Sequence, residues 1–322
     1  MKICICLAVH NNEKHLENCL NSVNNSVKHL QLPVKTFLCL NGCKDNSRKR
    51  AIGCKNSYPS LNIEIIKSCK GKLNAQKKMI SLIPKNARIL FIDSDTIISE
   101  NSIKILLDEL NKHKELIAVG GFPVAKKYTG LNPWKIFLDN VLNIRSRHPM
   151  SEVSKLDVMD YHRLAITDPQ NINTEKEHEL RSKIFFHGRL FLLRSEEYWN
   201  MPKKNKNVVG DDSYLPDYII NKYGKNRIRI RYDAVVYFEP FVSIKKHYQT
   251  YKRIYFDLKN LKQNFPQFSE IRERSVLVLD KEYIKNQHVM ERIKFFLFDF
   301  IRRVERISYN ISLEKNSSKI WK

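Results

Sequence analysis

Residues 88–95 read Arg88-Ile89-Leu90-Phe91-Ile92-Asp93-Ser94-Asp95. Consecutive apolar residues of β-branched and aromatic type predict a strand buried on both faces, as in a parallel sheet. Two acids then stop the run. Side chains at i and i+2 of an extended segment point the same way, so Asp93 and Asp95 are expected to face one cleft. A carboxylate pair at the carboxyl end of a buried strand suits a hard cation, Mn2+ or Mg2+, with diphosphate oxygens completing its shell.

Outward from this segment, strand and helix signals alternate. Ile3–Val9 is a continuous apolar run. Leu16, Cys19, Leu20, Val23 and Val27 recur at helical spacing. Val34–Leu40 and Leu61–Ile66 read as strands, Ala75–Leu82 as a helix, Ser102–Leu110 as a helix and Ile117–Gly120 as a strand. The alternation predicts an α/β fold with an open, mostly parallel sheet flanked by helices. Ligands of such sheets bind beyond the carboxyl ends of the strands. Residues 126–183 carry much charge and few strand signals, which predicts helices and a mobile polar loop around Ser151–Lys183. Strand character resumes over Ile184–Leu193, interrupted by His187-Gly188-Arg189. Val208-Val209 lead into Gly210-Asp211-Asp212, a helix is expected over Tyr214–Tyr223, and Ile228–Phe238 reads as a last strand.

The 322 residues include 42% apolar and 10% aromatic side chains, enough to bury a core. Fifty-seven Lys and Arg against 34 Asp and Glu leave a net charge of +23, which predicts an acidic partner: a phosphorylated substrate, an anionic lipid surface or nucleic acid. The basic residues are dispersed and show no zinc-finger or aromatic RNA-reading pattern, which argues against nucleic acid. About half of the excess falls in residues 221–322, which hold 23 basic and 11 acidic residues. There Ile293, Phe296, Leu297, Phe300, Ile301, Val304 and Ile307 recur at helical spacing among Lys294, Arg302, Arg303 and Arg306. Such a basic amphipathic helix either docks on the protein or lies in a membrane interface. No apolar run approaches the roughly 18 residues that a spanning helix needs. The N-terminal run is followed by His10-Asn11-Asn12-Glu13 rather than small residues, so it reads as a first strand and not a signal peptide. All seven cysteines lie in the first 70 residues, several inside apolar runs, and are expected to be reduced core residues.

Two further segments offer chemistry. In Gly210-Asp211-Asp212 one carboxylate could accept a proton from an attacking hydroxyl, or the pair could cap a helix. His187, Gly188 and Arg189 could line the acceptor side of a cleft, or form a satisfied histidine beside a bulge glycine.

Together these segments resemble the family 2 glycosyltransferases, of the GT-A fold, over roughly residues 3–240. Cys4-Ile5-Cys6-Leu7-Ala8-Val9-His10-Asn11-Asn12-Glu13 is similar to that family's first strand and its Pro-x-Tyr-Asn-Glu-Glu turn, with Ala8, His10 and Asn12 as departures. Phe37–Leu40 and Asn41-Gly42-Cys43-Lys44-Asp45-Asn46-Ser47 resemble the second strand and its acidic loop, with Leu40 and Asn41 where two acids are usual. Gly71-Lys72-Leu73-Asn74-Ala75 resembles the Gly-Lys-x-x-Ala segment near the nucleotide, Asp93-Ser94-Asp95 the Asp-x-Asp motif, and Gly210-Asp211-Asp212 the Gly-Glu-Asp motif. The resemblance implies an inverting, non-processive, metal-dependent hexosyl transfer from a nucleotide-diphosphate sugar, UDP first, to a hydroxyl of a glycan or lipid-linked acceptor. It implies nucleotide contacts at Ala8, Val9, His10, Asn12, Asn41, Lys72, Asp93 and Ser94, Mn2+ or Mg2+ at Asp95 and Asp93, and a base at Asp212 with Asp211 beside it. The expected layout is a nucleotide-sugar half over 1–120, an acceptor and catalytic half over 121–240 and a basic, mostly helical C-terminal extension over 241–322. Gln249-Thr250-Tyr251-Lys252-Arg253 lacks the Trp of processive synthases. A cytoplasmic protein, peripheral at the inner face of a membrane, is the expected setting. A nucleotidyltransferase is the enzymatic alternative, but Val9-His10-Asn11-Asn12 lacks the glycines its phosphate loop would need. The non-enzymatic alternative is a basic protein that binds nucleic acid or a membrane.

Overall fold

The first strand shows why the sheet forms where it does. β1 (Ile3–Val9) places Ile3, Ile5, Leu7 and Val9 in one apolar core and Cys4 and Cys6 in the other, as the two-residue period of a strand requires. A strand with no polar face has to lie inside the sheet with a layer on each side. The computed structural model describes residues 2–148, 151–154, 187–194, 211–224, 227–268 and 277–313. The further strands are β2 (Val34–Asn41), β3 (Ile63–Ser68), β4 (Arg88–Asp93), β5 (Ile97–Ile98), β6 (Ala118–Ala125), β7 (Glu152–Ser154), β8 (Leu190–Arg194), β9 (Ile228–Phe238) and β10 (Leu277–Leu279). Eight form one sheet in the order β3-β2-β1-β4-β8-β6-β9-β5, and β7 pairs with β10 apart from it.

β1 is parallel to β2 and to β4, and β2 to β3. β8 enters antiparallel between β4 and β6, and β9 lies parallel to β6. The carboxyl ends of β1, β4, β6 and β9 therefore share one edge. The sheet is mostly parallel, as the sequence alternation predicts, with β8 and the two-residue β5 running against their neighbours. β6 is longer than the Ile117–Gly120 reading. Its register shifts between Gly121 and Phe122, and a Cβ on Gly121 would stand 2.6 Å from the Ala234 carbonyl oxygen. Glycine is required by that close approach.

Helix Leu16–Lys28 buries Leu16, Cys19, Leu20, Val23 and Val27, the set its spacing predicts. All seven cysteines are free and five are buried. Beyond β9, helix Ile244–Asn264 and helix Val289–Leu313 pack with helix Pro133–Leu142. The terminal helix contributes Phe295 and Phe298 to a small core with Val141 and Ile144. His247, fully buried, is bonded through Nδ1 to Glu305 at 2.7 Å, and Glu305 also accepts from Arg302 at 3.1 Å. The inward face is thus Phe295, Phe298, Glu305 and Tyr309. Of the residues whose spacing marks an apolar face, Ile293, Phe296, Phe300, Val304 and Ile307 point outward. Within the loop expected over Ser151–Lys183, Glu152–Ser154 is a strand because it pairs with β10; residues 155–183, strand residues 184–186, and Val208, Val209 and Gly210 lie outside the described residues.

Candidate functional site

β1 leads to β2 and β3 on one side of itself, and β4 returns on the other. Such a switch point opens a crevice at the carboxyl ends of the two strands. Ala8 is in register with Asp93, so the loops after β1 and β4 leave the sheet side by side.

The β1 loop is held by polar struts. His10 Nδ1–H donates to the Asn41 carbonyl at 2.6 Å. The Asn12 backbone N–H donates to Ser47 Oγ at 2.8 Å, and its Nδ2 donates to Ser94 Oγ at 3.0 Å. Ser94 Oγ in turn donates to the Ala8 carbonyl at 3.1 Å, and Cys43 Sγ–H reaches the Val9 carbonyl at 3.2 Å. Asn41 Oδ1 accepts from the Gly71 N–H at 2.6 Å. Gly71 has φ of +129°, a region that favours glycine. Asn12, Asn41 and Ser94 are buried, and each bonds a neighbouring loop. These positions, expected from sequence as nucleotide contacts, hold the loops in register.

Sequence reading left Glu13, Asp45 and Ser47 out of the site. The Glu13 N–H donates to Asp45 Oδ2 at 3.0 Å, the Asn46 N–H to Glu13 Oε2 at 2.9 Å, and the Ser47 N–H to Asp45 Oδ1 at 3.1 Å. Desolvation pushes the Asp45 pKa up, but the bonds from Ser47 and from the Glu13 N–H outweigh it and hold the carboxyl below its ordinary value. The signal was present in Asp45-Asn46-Ser47, an acid two residues before a helix that begins at Ser47. A pocket of about 390 Å³ beside this latch is lined by Asn11, Asn12, Glu13, His15, Lys44 and Asp45, with neither Asp93 nor Asp95.

Asp93 ends β4, and Ser94 and Asp95 lie in a turn rather than an extended segment. The i, i+2 geometry therefore does not bring the pair together. The turn does, closed by Thr96, whose N–H and Oγ1 both donate to the Asp93 carbonyl, at 3.2 and 2.7 Å. Asp95 is solvent-exposed. Desolvation first, and the charge of Asp93 second, raise its pKa; Arg189 and Lys72 oppose the rise. Lys72, the first residue of helix Lys72–Ile80, donates from Nζ to Asp93 Oδ1 at 2.8 Å.

Arg189, expected on an acceptor side, stands beside this cluster. Its carbonyl accepts from the Asp93 N–H at 3.0 Å, and its guanidinium lies 4.2 Å from the centre of the Phe238 ring. Gly188 and Arg189 form the turn into β8, so among the described residues the segment precedes that strand. His187 packs edge-on against Phe122. Burial, then Arg189 and Arg145, push its pKa down to about 3. A neutral imidazole results. Asp211 and Asp212 open helix Asp211–Tyr223, and their side chains lie outside the described part of the structure.

Two carboxylates that repel each other beside open solvent are a donor set for a hard divalent cation. Among the described residues no group of three or more His, Cys, Asp or Glu could hold a metal by protein ligands alone. Asp93 and Asp95 could supply two carboxylate ligands to such a cation.

Residues 4–172 match the family model described as Glycosyl transferase family 2. No curated protein matches the chain in sequence. Among solved structures, S. aureus TarS is similar at 12% identity and a TM-score of 0.49, covering 92% of this chain and 47% of that one. The chain thus spans about half the length of that protein. TarS 1–349 in complex with UDP-GlcNAc is similar at 14% identity and a TM-score of 0.47, covering 92% and 78%. Glucosyl-3-phosphoglycerate synthase from Mycobacterium tuberculosis, in complex with Mn2+, UDP-glucose and phosphoglyceric acid, is similar at 16% identity and a TM-score of 0.47, covering 79% and 78%.

Proposed function

Since the chain belongs to glycosyl transferase family 2, which it matches over residues 4–172, we propose that this glycosyltransferase moves a hexosyl group from a nucleotide-diphosphate sugar, with UDP as the nucleotide, to a hydroxyl of a glycan or lipid-linked acceptor. The observation that carries the reading is the repelling pair Asp93 and Asp95 at the β1–β4 switch point, with Lys72 bonded to Asp93.

In this reading Asp95 and Asp93 hold Mn2+ or Mg2+, which when bound neutralises charge on the departing diphosphate. Lys72 and Arg189 add positive charge on the same side. Ala8, Val9 and His10 present the edge of the β1 loop to the nucleotide, and Asn12 and Asn41 keep that edge in place. Asp212, with Asp211 beside it, takes the proton of the acceptor hydroxyl as it attacks. Attack opposite the leaving group is a single displacement and inverts the anomeric centre, as in two-carboxylate inverting hydrolysis. His187, neutral, sits with Gly188 toward the acceptor. The donor half is 1–120, the acceptor half 121–240, and 241–322 is a basic helical extension.

Melting temperatures with a panel of nucleoside diphosphates, each with Mn2+ or with chelator, test the donor site. UDP with Mn2+ is expected to raise the melting temperature by several degrees, and chelator or Asp95→Ala to abolish the rise. No shift with any nucleotide overturns the reading. With a competent donor and acceptor, proton NMR of the fresh product gives the anomeric configuration, and retention would remove the single-displacement role of Asp212.

A further inference from the structure

Helix Val289–Leu313 carries a second apolar stripe that no described residue covers. Ile293, Phe296, Phe300, Val304, Ile307 and Ile311 are all exposed, Phe296 at 70% of its surface. Their spacing of three and four residues puts them on one side of the helix, opposite Phe295, Phe298 and Tyr309. Twenty-five residues make a face about 37 Å long. Leu131, Trp134 and Phe137 are exposed as well, at 94%, 59% and 42%; Trp134 is stacked on Phe137, and helix Pro133–Leu142 contacts the terminal helix. Monomeric soluble proteins rarely expose contiguous apolar area on this scale.

We propose that this composite face docks on an anionic bilayer, with the terminal helix lying in the plane of the interface. Charge selects the occupant. Arg292, Arg303 and Arg306 are exposed on one flank of the stripe, and the chain carries +23 overall. A second copy set against this face would press like charges together, whereas acidic headgroups complement them. An apolar face with an arginine flank is the pattern of helices that sit at the headgroup boundary. No helix among the described residues is long and apolar enough to cross a membrane, so docking is superficial.

The position of the face gives the docking a purpose. Helix Pro133–Leu142 follows β6, and β6 ends on the sheet edge where β4 ends at Asp93. The bilayer would meet the protein at the end where the carboxylate pair opens. That the acceptor is presented from the lipid surface rests on the glycosyltransferase reading; the docking itself does not.

Flotation of the full chain with vesicles of phosphatidylglycerol and phosphatidylcholine, against phosphatidylcholine alone, tests the proposal. Binding is expected only to the anionic vesicles and should weaken with salt. Phe296→Glu with Phe300→Glu, both on the exposed stripe, should reduce the partition coefficient at least tenfold by removing buried apolar area. Arg292→Gln with Arg303→Gln and Arg306→Gln should reduce it about a hundredfold at low salt, each arginine contributing roughly fivefold. Unchanged melting temperatures show that both variants fold, and UDP binding by the same variants keeps the donor site separate from the docking. Absence of binding to anionic vesicles overturns the proposal, as does binding that the Phe variant retains. A wild-type dimer in sedimentation that the Phe variant dissociates, without vesicle binding, would assign the face to self-association.

Discussion

β1 and the terminal helix are both apolar segments, and the protein treats them in opposite ways. β1 has a paired strand on each side and a core above and below, and almost all of it is out of water. Helix Val289–Leu313 buries one stripe on helix Pro133–Leu142 and on His247 and presents a second apolar stripe that no described residue covers. Apolar periodicity states which residues avoid water and says nothing of what covers them. For β1 the cover is the same chain. For the helix, no described residue covers the second stripe.

The sharpest test of that contrast separates packing from chemistry at the end of β4. Asp95→Ala should lower kcat/KM for donor turnover by about a thousandfold, the scale of removing one charge-stabilising group, with the melting temperature unchanged or raised. A large loss of stability instead would mean that the carboxylate pair belongs to the packing of the sheet. Next in size, Leu7→Ala in β1 should cost about 2–5 kcal/mol in urea unfolding. Ile307→Ala on the bare stripe should stay within about 0.5 kcal/mol, and equal costs would erase the contrast. Glu305→Ala strips His247 and Arg302 of their shared partner and should cost about 2–3 kcal/mol. It should also increase amide hydrogen exchange in the terminal helix more than in β1. The smallest effect concerns pH. The Asp95 pKa is raised in the fold by desolvation and by Asp93, so its ionised form destabilises the native state. That penalty is full above the folded pKa and absent below the ordinary value of 3.8. Asp95→Asn should therefore raise the melting temperature at pH 7 by on the order of one degree. The gain should shrink as pH falls through the carboxylate range.

The strands with long apolar runs were legible, and so was the order of the loops that carry the site. β1, β2, β4 and β9 hold continuous or alternating apolar residues, which report burial directly. β5, β7 and β10 were not legible. Two or three residues have no periodicity, and their strand character comes from partners far away in the chain, such as Leu277 opposite Ser154. β6 was read short because Gly120, Gly121 and Pro123 weaken a strand pattern. Gly121 is there for the close approach of β9, and Pro123 lies beyond the part of β6 that pairs with β8. In the site, residue type was a better guide than local geometry. The carboxylate pair was found from Asp-x-Asp, but a turn brings the two together, a detail fixed by Thr96. Arg189 joins them only because β8 enters beside β4, which no local pattern announces.

The central placement of β1 also bears on how the chain is made. β1 precedes its second partner in the chain, so it leaves the ribosome before Arg88–Asp93 does. Until then the nascent chain presents an apolar, unpaired strand edge, the kind that recruits other strands. β2, in register from Val34, covers only one side. The chain should therefore be most prone to aggregate while β1 and β2 are out and β4 is not, and become safer once β4 emerges. Engineering of this protein for expression would do best to avoid pauses while β1 is out and β4 is still inside the ribosome.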